Sequence, residues 1–388
     1  MKAADLAPES SREVFQPALR SSTQKFALVH DWMAVSGGAE ATFKQILELF
    51  PGAVYTSQCR RESFPWLEGH EVHTSLVQHL PMALDKHYVY APVMPLIYRR
   101  FDLREADVVL VDSHSFAHHC RVRQDALCVC YYHTTARSLW TPEVDDRARA
   151  GRLGWARRLL APTMKRLDLL ASRNPHFVIA NSRTTADRIR RFYHREPDRV
   201  IYPPVDTLRW ADVHRSSCEE GLIYWGRLVS YKRIDIAIEA ARQTGERLNI
   251  VGAGPMEPAL KQLARGLPNV RIHGRLSDDE LKRLMSHCWG AVFPCYEDFG
   301  LVPVEAMASG LPVVAFGKGG ATETVGQLGG VLFDEQTPSS MAAAISRLKR
   351  LEFDETELRK RASEFDVAIF RTKFSEAVEL AIASMTRQ

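Results

Sequence analysis

The chain has 388 residues, 45% of them apolar and 25% charged, and a formal net charge of +4. That balance fits a folded globular protein with room for two ordinary domains and excludes a disordered chain. No apolar run approaches the roughly 20 residues that cross a bilayer, and so small a charge makes no case for binding nucleic acid. Residues 1–24 are polar and read as a flexible tail with no apolar leader block, so the cytoplasm is the expected compartment. Seven cysteines are present without a Cys-x-x-Cys pair. Cys128 and Cys130 are expected as two thiols on one face of a buried strand.

Short apolar runs alternate with helical patterns, the signature of parallel sheets covered by helices. Phe26–His30 reads as the first strand. It passes through Ser36-Gly37-Gly38 into a helix with apolar residues at Ala39, Phe43, Ile46, Leu47 and Phe50, a 3.6-residue period. Residues 106–111, 126–131 and 176–180 read as further strands of one sheet. Between 147 and 173, Arg147, Arg149, Arg152, Arg157, Arg158, Lys165, Arg166 and Arg173 face the single acid Asp168. That stretch is expected as a solvated helix with a core-facing stripe of Leu153, Trp155, Leu159, Leu160, Met164 and Leu167; the sharper alternative is peripheral contact with anionic lipid. Ile201-Tyr202-Pro203-Pro204-Val205 excludes helix and marks a domain boundary. The domains are set at 25–204 and 205–365. A second strand series follows at 222–225, 248–251, 270–272, 290–293 and 312–315. Residues 366–388 carry apolar positions at Phe370, Phe374, Ala377, Val378, Ala381, Ile382 and Met385 and form an amphipathic helix that returns to the first domain. Two parallel α/β halves imply a ligand cleft at the carboxyl ends of their strands.

The most specific stretch runs from Phe293 to Gly310. A strand ends near Phe293, Pro303 is expected at the first position of a short helix, and Gly310 stops that helix. Glu305 then falls in the first turn and Glu297 in the preceding loop. The amides of Phe299, Gly300, Leu301 and Val302, backed by the helix dipole, would face a polar ligand. Ser36-Gly37-Gly38 is a second turn where amides can approach a phosphate, and Glu40 complements the dipole behind it. Gly252-Ala253-Gly254 lacks the third glycine of a dinucleotide fingerprint, Glu257 standing there instead, so no nicotinamide cofactor is expected.

The stretch from Glu297 to Glu305 resembles the glutamate-pair signature of glycosyltransferase family 4, which has the GT-B fold of two Rossmann-like domains facing each other across a cleft. Other stretches match in order: Gly37-Gly38-Ala39-Glu40, Tyr132-His133-Thr134, Ala180-Asn181-Ser182, Gly226-Arg227-Leu228 with Lys232-Arg233, Gly252-Ala253-Gly254-Pro255 and Gly319-Gly320. The resemblance covers nearly all of residues 25–385. Val29-His30-Asp31-Trp32, Cys130-Tyr131-Tyr132-His133-Thr134 and Ile201-Tyr202-Pro203-Pro204-Val205-Asp206 are most similar to bacterial mannosyltransferases of polysaccharide synthesis. The continuation Thr134-Thr135-Ala136-Arg137 departs from those relatives, which usually carry proline after the threonine. This bears on substrate specificity rather than on reaction class.

The resemblance implies a role for each matching residue. Glu305 would bind the nucleotide ribose, Glu297 the donor-sugar hydroxyls, and Arg227 with Lys232 the diphosphate. His133 would lie beside the reacting carbon. Gly37, Gly38, Gly226, Gly254, His273, Phe299, Gly300, Leu301 and Val302 would complete the donor site, with the base pocket around residues 271–276. No Asp-x-Asp is present to hold a metal on the diphosphate, so neither metal nor cofactor is expected; the two cations would serve instead. The implied reaction is retaining transfer of a hexosyl group, with a lean towards mannose from GDP-mannose, to a hydroxyl acceptor. A lipid-linked saccharide and a small soluble metabolite both stay open as acceptors. The alternatives are a transferase using a UDP-sugar and a non-catalytic sugar-nucleotide binder.

Overall fold

Continuous apolar runs suit strands whose two faces are both covered. The computed structural model describes residues 24–85, 87–142, 154–216 and 219–386, and these runs build two parallel sheets in it. The first contains β1 (Phe26–His30), β2 (Ala53–Thr56), β3 (Val72–Thr74), β4 (Val108–Ser113), β5 (Leu127–Tyr132), β6 (Phe177–Ala180) and β7 (Arg199–Val200), in the order β3-β2-β1-β4-β5-β6-β7. The second contains β8 (Gly221–Trp225), β9 (Leu248–Val251), β10 (Val270–Gly274), β11 (Cys288–Phe293), β12 (Val313–Phe316) and β13 (Gly330–Phe333), in the order β10-β9-β8-β11-β12-β13. Side chains alternate between the faces. Val29, Val109, Val111, Cys128 and Cys130 enter one core, while Leu28, Val108, Leu110, Val129 and Tyr131 enter the core on the other side. The two thiols thus share a face, as their spacing predicts.

Four strands have no counterpart among the predicted ones. β2 and β13 alternate buried with half-buried positions, β3 has three residues and β7 has two exposed ones. All four lie at or beside a sheet edge, where one apolar face or none is needed.

The chain leaves the first domain after Ile201, which packs in that domain's core, and enters the second at Val205 and Trp210. It comes back beside the same point, where Asp366 bridges to Val205. The helix Val367–Thr386 then lays Phe370, Phe374, Ala377, Val378 and Ala381 on Leu28, Phe43 and Tyr131 of the first domain.

The basic stretch departs from its expected pattern. Residues 143–153, including Arg147, Arg149, Arg152 and Leu153, lie outside the described residues, as do the side chains of Trp155, Arg157 and Arg158. In the helix Gly154–Ala171, Leu159 and Leu160 are exposed rather than core-facing, and Met164 is buried. Asp168 is no solvated acid. It is fully buried and accepts from Trp140 Nε1 at 2.6 Å, the Tyr193 hydroxyl at 2.9 Å and His119 Nε2 at 3.1 Å. These three hydrogen bonds, with His118 Nε2 3.1 Å away, offset the cost of burying the carboxylate. The acid therefore fastens the helix to its domain. Among the described residues no helix is long and apolar enough to cross a membrane.

Strand order reverses between β1 and β4 in one sheet and between β8 and β11 in the other, and a crevice opens at such a point. Asp31, just past β1, ties the first crevice together. Its buried carboxylate accepts from the amides of His114, Ser115, Phe116 and Ala117 at 2.6–2.9 Å.

Candidate active site

The loops following β8 and β11 converge at the second crevice. Gly226 takes a φ of +138° as β8 ends. Arg227 follows, exposed, with its guanidinium donating to the Tyr231 hydroxyl at 3.1 Å. A single turn, Ser230–Lys232, then directs the buried Lys232 so that Nζ stands 2.6 Å from Glu297 Oε1. Burial opposes a charged amine there, but the Glu297 carboxylate outweighs it and holds the lysine well above its ordinary pKa. Lys232 is a fixed ammonium with one of its three protons committed.

Glu305 Oε2 accepts from Trp225 Nε1 at 2.8 Å, and Oε1 makes no hydrogen bond among the described residues. Burial raises its pKa, partly offset by the Trp225 bond. Its helix starts earlier than Pro303. The helix spans Leu301–Ala308, because Gly300 at φ +88° turns the chain two residues sooner. Pro303 falls at the third position, still in the turn whose N–H groups lack intrahelical partners. Glu305 accordingly lies in the second turn, and the first turn holds no acid. Gly310 follows the helix end with φ +77°, as expected.

The donor-binding residues read from sequence divide into groups. Leu301 and Val302 head the helix ahead of its first internal bond, so their amides stay open to a ligand. Phe299 offers only its backbone. Its ring is core, packed 5.6 Å from Tyr202 and 5.5 Å from Phe365. Gly254 is explained by close packing, since a Cβ there would stand 2.3 Å from Leu228 O. His273 lies on β10, with its Nε2 2.8 Å from Asn249 Oδ1 on β9.

The first domain supplies the opposite wall. Gly38 opens the helix Gly38–Leu49, and a Cβ on it would stand 2.3 Å from Leu301 Cδ1 across the cleft. The exposed Gly37 precedes it. His133 follows β5, with Nε2 2.6 Å from Asp112 Oδ1, while Asp112 Oδ2 lies 2.8 Å from His30 Nδ1. Burial opposes the Asp112 charge, yet His133 and His30 outweigh it and hold that carboxyl well below the usual range.

Two bridges join the walls. Asp298, beside Glu297, is buried and accepts from Arg137 Nε at 3.1 Å, with Arg188 Nε 3.1 Å from its other oxygen. Glu323, on the short helix Ala321–Thr324 that follows β12, accepts from the amides of Arg183 at 2.8 Å and Thr184 at 2.9 Å, capping the helix Arg183–Tyr193 from the other domain. Asp298, Arg137, Arg188, Glu323, Asp112 and His30 are absent from the sequence-read site. Their partners lie between 21 and 161 residues away in the chain, spacings that carry no local signal.

Among the described residues, two groups place histidine and carboxylate atoms within 4.8 Å of one another: His30 with Glu40 and His114, and His118 with His119 and Asp168. The second is the knot at Asp168. A cavity of about 840 Å³ lies at the far end of the second sheet, lined by Arg215, Glu219, Arg247 and Lys349. Arg247 and Lys349 there are paired with Glu220 and Glu246, so the cavity shows no convergent catalytic set.

A family model described as Glycosyltransferase Family 4 matches residues 36–209, and one described as Glycosyl transferases group 1 matches residues 219–350. The O-antigen chain mannosyltransferase C of Escherichia coli is 26% identical over 54% of this chain and 55% of its own length. The D-rhamnosyltransferase WbpZ of Pseudomonas aeruginosa is 28% identical over 50% and 53%. The chain spans between 36% and 55% of the length of the first such curated relatives. Among solved structures, HepE of Anabaena in complex with UDP overlays with a TM-score of 0.66 at 21% identity, covering 91% of this chain and 99% of HepE. The fold is GT-B, and each of its two domains is identified by a glycosyltransferase family model, family 4 in the first and group 1 in the second.

Proposed function

We propose that this chain is a retaining, metal-independent glycosyltransferase that moves a mannosyl group from GDP-mannose to a hydroxyl acceptor in bacterial glycan synthesis. The observation that carries this reading is the convergence of Lys232, Glu297 and Glu305 on one crevice from the ends of β8 and β11. An ammonium beside two carboxylates suits a ligand that is anionic in the middle and rich in hydroxyls at both ends. Glu305 Oε1 takes the ribose, Glu297 the sugar, and Lys232 with Arg227 the diphosphate.

As the anomeric bond breaks, charge gathers on the departing diphosphate, and the two fixed cations stabilise it without reorganising. The acceptor hydroxyl attacks from the face that the diphosphate leaves, so configuration is retained. Contact between the domains excludes the water that would hydrolyse the donor. The likeness to an O-antigen mannosyltransferase supports the sugar and a saccharide acceptor. Leu159 and Leu160, exposed on the helix Gly154–Ala171, favour an acceptor carried on lipid.

Incubation with GDP-mannose, other GDP-sugars and UDP-sugars tests the reading, with free nucleotide and the anomer of the product as readouts. Mannose released or transferred with retained configuration, GDP-mannose being preferred, supports it. Preference for a UDP-sugar overturns the donor, and binding without turnover overturns the enzyme.

A further inference from the structure

Asp112 stands between two imidazoles at the centre of the first sheet. Its register partners are His30 on β1 and Tyr131 on β5, and its side chain is 1% exposed. Each carboxylate oxygen serves one ring: Oδ2 meets His30 Nδ1 at 2.8 Å and Oδ1 meets His133 Nε2 at 2.6 Å. His30 is completely buried, and its second nitrogen has no hydrogen bond. That nitrogen, Nε2, lies 3.9 Å from Glu40 Oε1, on the helix that Gly38 opens. A buried imidazole between two carboxylates is most stable with both nitrogens protonated. Burial opposes that charge, but Asp112 and Glu40 outweigh it and raise His30 to about 10.

The consequence reaches the cleft. With His30 doubly protonated, Asp112 is ionised and can only accept, so His133 presents Nε2–H to it. A neutral imidazole holding its proton at Nε2 has its lone pair at Nδ1. His133 Nδ1 makes no hydrogen bond among the described residues and is not among the occluded unpartnered atoms.

We infer that Glu40, His30 and Asp112 are positioning residues that lock His133 in one tautomer, with Nε2–H directed inward and Nδ1 offered as acceptor to a sugar hydroxyl at the reacting centre. The inference rests on the glycosyltransferase reading for the identity of the hydroxyl, but the tautomer is set by this chain alone. It also gives Glu40 a task beyond complementing a helix dipole. Through His30 the Gly37-Gly38 turn is connected to the residue beside the reaction.

The test uses the full chain with 15N-labelled histidine, the His133 resonances being assigned from a His133→Gln variant. In the wild type, His133 should show the Nε2–H tautomer at pH 7 and His30 the signature of an imidazolium. Asp112→Asn removes the ionised acceptor. It should convert His30 to a neutral ring, mix the His133 tautomers and lower kcat by roughly 10²-fold, with the donor KM changed less than threefold. Glu40→Gln should neutralise His30 and lower kcat by about tenfold, and Glu40→Asp should restore part of it. If Asp112→Asn does not fold, Glu40→Gln still reports the His30 charge and its effect on kcat from the edge of the network. An Nδ1–H tautomer in the wild type overturns the inference. So does an unchanged His133 spectrum in Asp112→Asn, or a fall in thermal stability with kcat unaltered. A wild type with the expected tautomer but no activity on any sugar nucleotide would refute the glycosyltransferase reading while leaving the lock standing.

Discussion

Replacing Asp298 by alanine should open the cleft without unfolding either domain. The carboxylate is 3% exposed and joins two guanidiniums from the other domain. Burial opposes its charge, but Arg137 and then Arg188 hold its pKa below the ordinary value. Removing one member of a buried ion pair costs about 3–5 kcal/mol when the partner stays buried. Here separation of the domains would rehydrate both arginines, and the Arg137 side chain is already 25% exposed. We therefore assign about 2–3 kcal/mol to the closed state, equivalent to a shift of roughly 30- to 150-fold in the closure equilibrium. Small-angle scattering with nucleotide present should show a larger radius of gyration for Asp298→Ala, and kcat/KM should fall by a comparable factor. Arg137→Ala and Arg188→Ala should each lose less when added to Asp298→Ala than alone, because all three act through one cluster. A variant with wild-type scattering and kcat/KM within twofold would refute the reasoning.

Three further outcomes follow from the same geometry. Lys232→Ala removes the buried ammonium from the diphosphate position and should lower kcat by roughly 10²–10³-fold, measured as nucleotide release; near-wild-type turnover would remove Lys232 from the mechanism. Gly252→Ala places a Cβ 1.9 Å from Gly226 O at a φ of +135°. It should cost more than about 2 kcal/mol in urea unfolding and weaken nucleotide binding by displacing the Gly226–Leu228 turn. Stability against pH should pass through a maximum near pH 6.5. His119 is pushed down to about 4, chiefly by burial, so the folded state refuses a proton that the unfolded chain takes, and stability is lost as pH falls from about 6.5 towards 4. His30, raised to about 10, contributes stability that is complete below about 6.5 and lost as pH rises through 10. Melting temperatures between pH 4.5 and 9 check both limbs, and a profile that only rises or only falls would contradict them.

The elements legible in the sequence are those whose physics is local. β4, β5, β8 and β11 are fully or almost fully buried, so each appears as an uninterrupted apolar run, whereas β2 and β13 show only half a pattern. The Glu297–Glu305 stretch is legible for a similar reason: a loop, a glycine turn and a short helix hold both carboxylates within nine residues. Even there, the sequence pattern alone sets the helix start two residues late. A proline at the first position is the commoner arrangement, and only the positive φ at Gly300 moves the start to Leu301.

What escaped the sequence is the set of contacts that strands and domains create by meeting. Asp112 looks like the end of an apolar run until β1 and β5 bring an imidazole to each of its oxygens. Arg137 stands out in sequence only as part of a departure from related chains, yet it reaches Asp298, 161 residues further on. Both follow from one topological fact. Strand order reverses at the centre of each sheet, so the loops after β1, β4 and β5 open towards those after β8, β11 and β12. Any charged residue at those six strand ends is therefore a candidate for the cleft, whatever its local context. His30, Asp112, His133, Glu297 and Glu323 all lie there. His273, near the end of the edge strand β10, has its ring engaged by Asn249 on β9. A strand's place relative to the reversal is thus a guide to the cleft that the local sequence around each residue does not carry.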